Sequence, residues 1–166
     1  MEKKYRVHLM VCAGTSCVSS GSLDVRDALV EEVNKNGLQD EVFIATTGCN
    51  GFCAAGPLMI AYPDKIFYQK LKVEDVPYFV EEYLVKGRVV KEHLFESPEA
   101  AEAIPKISDI GFFSRQVLVA LKNRGLIDPD NINEYIARDG YTGAAKALLE
   151  MTPQEIVEEM KTSGLR

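Results

Sequence analysis

Tyr5, Val7, Leu9 and Val11 alternate with Arg6, His8 and Met10, the period-two pattern of a strand with one face buried. That strand delivers Cys12 at its end. Between Ser22 and Asn36 the apolar positions Val25, Ala28, Leu29 and Val33 fall on one helical face, opposite Asp24, Asp27, Glu31 and Lys35, and Asn36-Gly37 provides a stop. A second strand, Val42 to Thr46, runs into Gly48-Cys49-Asn50-Gly51-Phe52-Cys53. Leu58 to Ala61 and Ile66 to Tyr68 read as two short strands around Pro63-Asp64, the pattern of a hairpin. A helix follows from Glu74 to Lys86, with Val76, Phe79, Val80, Tyr83 and Leu84 on one face, Pro77 in its first turn and Gly87 closing it. The order β-α-β-β-β-α predicts an α/β (α+β) fold with a central sheet and helices laid against it.

From Glu96 to Asp109 no period is sustained, and Ser97-Pro98, Ala100-Ala101 and Ile104-Pro105 mark a linker. The expected organisation is a first domain over 1–95, a linker over 96–109 and a small all-helical segment over 110–166. Val117, Leu118 and Leu121 precede Asn123-Arg124-Gly125, and Asp128-Pro129 opens a helix with Ile132, Tyr135 and Ile136. Thr152-Pro153-Gln154-Glu155 is a capping box with proline at the first helical position, followed by the apolar stripe Ile156, Val157 and Met160. Helices this short bury little, so the segment is expected to lean on something larger.

An apolar fraction of 46% and a charged fraction of 27% over 166 residues supply an ordinary packed core without disulfide or metal staples. The net charge of −6, from 25 acids and 19 bases, argues against nucleic acid or an anionic membrane as partner. No apolar run has the length of a transmembrane helix, so no membrane span is expected. Arg6 and His8 interrupt the only stretch that resembles a signal, which points to a cytoplasmic protein whose cysteines stay reduced or bind metal.

All four cysteines, Cys12, Cys17, Cys49 and Cys53, lie in the first third of the chain, spaced C-x4-C, then 31 residues, then C-x3-C. Each pair follows a predicted strand, and small residues flank it: Ala13, Gly14, Thr15 and Ser16 in the first loop, Gly48, Asn50 and Gly51 in the second. Small neighbours let backbone N–H groups approach sulfur, as a negatively charged iron–sulfur cluster requires. Structural zinc favours the tighter C-x2-C knuckle, and a thioredoxin-type dithiol needs C-x-x-C, which is absent. A [2Fe–2S] cluster, zinc, and buried or redox thiols all stay open on spacing and compartment.

C-x4-C and C-x3-C on this strand–helix–strand frame resemble the thioredoxin-like [2Fe–2S] ferredoxins, a fold shared with the small cluster-bearing subunit of respiratory complex I and of NAD-linked hydrogenases. Phe112-Phe113-Ser114-Arg115-Gln116, Lys122 to Pro129, Tyr135 to Tyr141, Met151-Thr152-Pro153 and Ser163 to Arg166 resemble the helical lead-in of the NADH-binding flavoprotein subunit. Ferredoxin followed by flavoprotein is similar to the diaphorase subunit of NAD(P)-linked or electron-bifurcating [FeFe] hydrogenases and related formate dehydrogenases. The resemblance implies a [2Fe–2S] cluster on Cys12, Cys17, Cys49 and Cys53 and a one-electron relay role. It also implies a flavoprotein domain and other iron–sulfur subunits as partners. None of the 12 glycines forms the loop that cradles FMN and NAD(P) in that family, so those cofactors are expected only in a missing remainder or a partner, and the chain reads as a fragment or one member of a split pair.

His8 and His93 lack spaced ligand partners and are expected to be surface or packing residues. Tyr78, Phe79 and Tyr83 are expected in the core, and Glu81-Glu82 and Glu158-Glu159 on solvated helix faces. Phe52, inside the second cysteine loop, either shields a cluster from water or fills the core. The rival function is a zinc-binding interaction module whose helical tail docks a partner.

Overall fold

The computed structural model describes residues 5–96, 103–124, 126–128 and 131–165. The chain divides into two compact units, Met1–Leu126 and Ile127–Arg166. The first holds a four-stranded sheet of order β2-β1-β3-β4, made of β1 (Val7–Cys12), β2 (Val42–Thr47), β3 (Leu58–Tyr62) and β4 (Ile66–Gln69). β1 and β2 are parallel, joined through the helix α2 (Ser22–Lys35), whereas β3 is antiparallel to both β1 and β4. The four strands and this helix match the expected pattern.

The two faces of the sheet carry different cores. Val7, Leu9 and Val11 point to the side covered by Val25, Leu29 and Val33 of α2 and by Val76, Phe79, Val80, Tyr83 and Leu84. Those last five belong to a helical stretch that opens as a 3-10 turn at Val73–Asp75, continues as α3 (Val76–Phe79) and ends as a π-helical turn, Val80–Val85. Tyr78 is exposed rather than in the core, because it lies off the stripe on which Phe79 and Tyr83 sit. Each large apolar side chain fully buried here, such as Leu9, Leu29 or Phe79, contributes about 1.5–3 kcal/mol.

The opposite face of the sheet is buried as well. Met10, Cys12, Ile60, Tyr62 and Phe67 pack there with Leu58, Phe95 and Ile110. The cover comes from the stretch read as a linker. Over its described part it is tied down by backbone hydrogen bonds: Phe67 N–H of β4 donates to Pro105 O at 2.9 Å, Ile107 N–H to Lys65 O, just before β4, at 2.9 Å, and Ile104 N–H to Phe95 O at 2.7 Å. Gln69, buried, donates from Nε2 to Leu94 O at 3.1 Å. Residues 97–102, including Ser97-Pro98 and Ala100-Ala101, lie outside the described residues. Ile104, Ile107, Ile110 and Phe113 follow neither a two- nor a 3.6-residue period, so their burial left no periodic signal.

Two further elements depart from expectation. A short helix, α1 (Thr15–Ser19), occupies the first cysteine loop, and beyond α4 (Gly111–Ser114) Val117 and Leu118 lie in irregular chain and Leu121 in a turn instead of a helix. In the second unit α5 (Ile132–Ile136) is capped by Asn131, whose Oδ1 accepts from Asn133 N–H at 3.0 Å; Pro129 and Asp130 lie outside the described residues. α6 (Thr142–Glu150) and α7 (Pro153–Thr162) follow, and the expected capping box opens α7: Thr152 N–H donates to Glu155 Oε2 at 2.7 Å while Glu155 N–H donates to Thr152 Oγ1 at 3.4 Å. No described residue of this unit is buried.

Candidate functional site

The parallel register decides where the cysteines go. Val7 pairs with Val42 and Cys12 with Thr47, so both chains leave the sheet at the same end, and Ala13 N–H closes the register on Thr47 O at 2.8 Å. β3 enters antiparallel, with Val11 opposite Met59, which brings the 3-10 turn Cys53–Ala55 that precedes it to that same end. The loops that carry all four thiols are therefore delivered by backbone pairing to one end of the sheet. Cys12 and Cys17 are buried, Cys49 and Cys53 exposed. Among the described residues no group of three or more His, Cys, Asp or Glu side chains is drawn together as a single-ion site.

Glycines hold the loops against the sulfurs. A Cβ on Gly14 would stand 3.1 Å from Cys49 Cβ and 3.3 Å from its Sγ, and a Cβ on Gly56 would stand 3.1 Å from Cys17 Sγ; anything larger than hydrogen at either position presses on a thiol. Gly51, at φ +85°, turns its N–H onto Cys49 Sγ at 3.3 Å, a conformation open to glycine at little cost.

The two inner thiols are driven apart in acidity. Burial raises Cys12, but the backbone N–H groups of Gly14 and Asn50, with hydrogen bonds from the Cys17 and Asn50 side chains, outweigh it and leave its pKa below the ordinary value. Cys17 is pushed up to about 11 by burial, by its hydrogen bond to Cys12 and by the Cys12 charge, against one N–H from Leu58. Proton sharing of this kind marks a pair that stabilises one negative charge between two sulfurs.

Two buried donors at this end have no acceptor. Asn50 is buried, and its Nδ2 has no acceptor at hydrogen-bond distance. Arg124 Nη2 donates to Asn50 Oδ1, and Arg124 Nε is likewise buried without an acceptor. Orphaned buried donors cost about 1–3 kcal/mol each, and an anionic group rich in acceptors, bound by the thiolates, is the chemistry that offsets it. The donor set fits an iron–sulfur cluster with its sulfide and thiolate sulfurs.

Phe52 is the hub of a phenylalanine cluster, with ring centroids 5.8 Å from Phe67, 5.3 Å from Phe95, 5.6 Å from Phe112 and 5.2 Å from Phe113. It fills the second core. His8 packs beside Tyr5 and Phe43, and His93 Nε2 lies 3.5 Å from Asp75 Oδ2, so neither histidine joins the thiols. Nothing in the cysteine spacing marks Gly56 or Arg124, which reaches Asn50 across 74 residues; Asn50 is legible only as a small residue between Cys49 and Gly51.

Among the described residues no helix is long and apolar enough to cross a membrane. A Clostridium pasteurianum protein named "Ferredoxin, 2Fe-2S" is 32% identical over 92 residues, covering 51% of this chain and 90% of that protein. The NADP-reducing hydrogenase subunit HndC of Solidesulfovibrio fructosivorans is 52% identical over 52 residues, covering 31% of this chain and 10% of that protein. The crystal structure of the wild-type thioredoxin-like [2Fe-2S] ferredoxin from Aquifex aeolicus superposes with a TM-score of 0.52 at 29% identity, covering 57% of this chain and 100% of that one. The zinc alternative finds no support in these relatives. Residues 1–84 match the thioredoxin-like [2Fe-2S] ferredoxin pattern, and the chain belongs to that family of [2Fe-2S] electron carriers.

Proposed function

We propose that Cys12, Cys17, Cys49 and Cys53 hold the [2Fe–2S] cluster, and that the chain is a peripheral one-electron relay of an NAD(P)H-linked flavoprotein oxidoreductase or hydrogenase complex. The observation that carries the ligand set is the pairing of Cys12 with Thr47, which sets both cysteine loops side by side at one sheet end. A cluster bound there supplies one exchangeable electron. Cys12 and Cys17, buried, would shield a cluster held there from water, while Cys49 and Cys53, at the surface, would leave it accessible to a redox partner. Gly51 N–H and the Asn50 amide offer hydrogen bonds to sulfur, which favour the more negative, reduced state. No general acid, base or nucleophile is needed.

The match to HndC supports the hydrogenase context. So do the bare apolar positions of the second unit, with Leu148 82% and Leu149 83% exposed, an arrangement that suits docking on a larger flavoprotein body. In this reading 1–95 is the ferredoxin domain, 96–109 its connection and 110–166 the lead-in of a flavoprotein domain, with FMN and NAD(P) bound by the continuation or partner.

Iron and acid-labile sulfide analysis of the purified chain tests the ligand set. About two of each per chain are expected, with visible absorption that bleaches on reduction. Cys49→Ala or Cys53→Ala should abolish it, and the corresponding serine variants should keep a weakened cluster through oxygen ligation. Stoichiometric zinc, or full iron content in either alanine variant, contradicts the assignment. For the relay role, reduction of the cluster by NADH or NADPH should require an added flavoprotein; none in the presence of any such partner would leave a free-standing ferredoxin.

A further inference from the structure

Arg124 lies outside the span matched to the ferredoxin family, which ends at residue 84, yet it reaches the cysteine loops. Its Nη2 donates to Oδ1 of Asn50, the residue between Cys49 and Gly51. An arginine has donors only and an asparagine amide has one end of each kind. Binding the oxygen end therefore decides which way the amide faces: Oδ1 to Arg124, and Nδ2 left over for sulfur. Nδ2 is buried without an acceptor, in a loop whose Gly48 O accepts from the Sγ of Cys12, the most deeply buried thiol, at 3.8 Å. Without the guanidinium, nothing in the described surroundings prevents the amide from turning over and presenting oxygen to a thiolate, which would repel it.

We propose that Arg124 is a positioning residue for the redox centre: it orients the Asn50 amide so that Nδ2–H donates to the Cys12 sulfur, and through that bond it raises the reduction potential of the cluster. The inference rests on Cys12 being a cluster ligand. The added electron increases the negative charge on the sulfurs, so a hydrogen bond to sulfur is stronger in the reduced state and favours it. The segment beyond the ferredoxin core thus sets the driving force of a centre it does not ligate.

Redox titration of the full chain with its cluster, for Arg124→Ala, Asn50→Ala and the double variant, tests this. Each single substitution should disfavour reduction about tenfold, a fall of about 59 mV for one electron, and shift the electron paramagnetic resonance of the reduced cluster. The double variant should match Asn50→Ala alone, because Arg124 acts through Asn50. Additive shifts would mean that Arg124 acts only by its charge, and an unchanged potential in Arg124→Ala that it does not act; either overturns the proposal. If Arg124→Ala loses the cluster, Arg124→Gln, which keeps a donor on a shorter arm, should show a smaller fall, and no fall overturns the proposal as well. A wild-type chain that binds no two-iron cluster would instead refute the ligand assignment, and the two failures are told apart by iron content.

Discussion

Phe113 stacks on Phe52 with ring centroids 5.2 Å apart and planes inclined by 25°, joining a residue beyond the expected linker to the middle of the second cysteine loop. Aromatic pairs in this geometry contribute about 0.5–1.5 kcal/mol beyond the area they bury, and Phe52 makes four such contacts at once. Phe52→Ala should therefore destabilise the first unit by about 2–4 kcal/mol, near the lower part of the range for a large aromatic deletion because Phe52 is only half-buried. Phe113→Ala should cost a similar amount. Denaturant unfolding of the cluster-bound chain measures both, and a loss below about 0.5 kcal/mol in each would mean that residues 103–114 merely lie on the sheet without holding the loop.

Gly14 and Gly56 make a second pair of sensitive points. With the thiols free, Cys17 Sγ can shift by a few tenths of an ångström to admit a methyl group at Gly56, where the new Cβ would stand 3.1 Å away. With the sulfur bonded to iron it cannot move, so Gly56→Ala should fold but bind less cluster. Gly14→Ala should do the same through Cys49. The expected result is far-ultraviolet circular dichroism close to wild type with iron per chain reduced at least by half. Full iron content in both variants would show that the loops have slack.

How far the sequence foretold this site depends on which contacts are local. Alternation in β1 and the stripe on α2 placed the strands and the helix, and strand ends placed Cys12 and Cys49, because these features repeat at the period of the element that carries them. Cys17 fell on α1 instead of a loop, since the five residues of that helix are too few for a periodic signal. The second core stayed hidden for a different reason. Ile104, Ile107, Ile110 and Phe113 are brought to the sheet by isolated backbone bridges, Ile66 to Lys106 and Phe95 to Ile104 among them, and their spacing of three matches the period of neither a strand nor an α-helix. Arg124 and Asn50 meet through tertiary structure alone.

Alkaline stability should depend on two buried phenols. Tyr68 is raised above its ordinary value of 10.0 by burial and then by the Tyr83 phenol; Tyr83 is raised by burial and by Asp64, to whose Oδ2 its hydroxyl donates at 3.5 Å. Above pH 10 the unfolded chain releases these protons while the folded chain keeps them, so the unfolded state binds fewer protons and stability falls as pH rises. The contribution is complete below about pH 10 and declines above it. Tyr83→Phe should cost about 1 kcal/mol at neutral pH through the lost hydrogen bond and flatten the alkaline decline. Urea unfolding across pH, followed alongside tyrosinate absorbance, checks both; an equally steep decline in Tyr83→Phe would assign the effect to other groups.

The second unit should be the first part of the chain to open. Its helices are short, α5 at 5 residues, α6 at 9 and α7 at 10, below the length at which isolated helices hold in water. Caps help at α5 and α7, and each contributes about 1 kcal/mol, but caps fix ends without burying a face. Ile132, Ile136, Val157 and Met160 are all more than half exposed, so the hydrophobic term that stabilises most protein helices is largely missing here. Amide hydrogen exchange should therefore be fast throughout 127–165 and slow in β1, β3 and α2, whose side chains form the core. Removing residues 127–166 should leave the cluster spectrum and the unfolding midpoint of the remainder unchanged, since every cysteine, Asn50 and Arg124 stays. Protection in α6 and α7 comparable to that of α2, or loss of the cluster on truncation, would show that these helices are anchored in the isolated chain; protection that rises only when a flavoprotein is added would identify the surface they are built to cover.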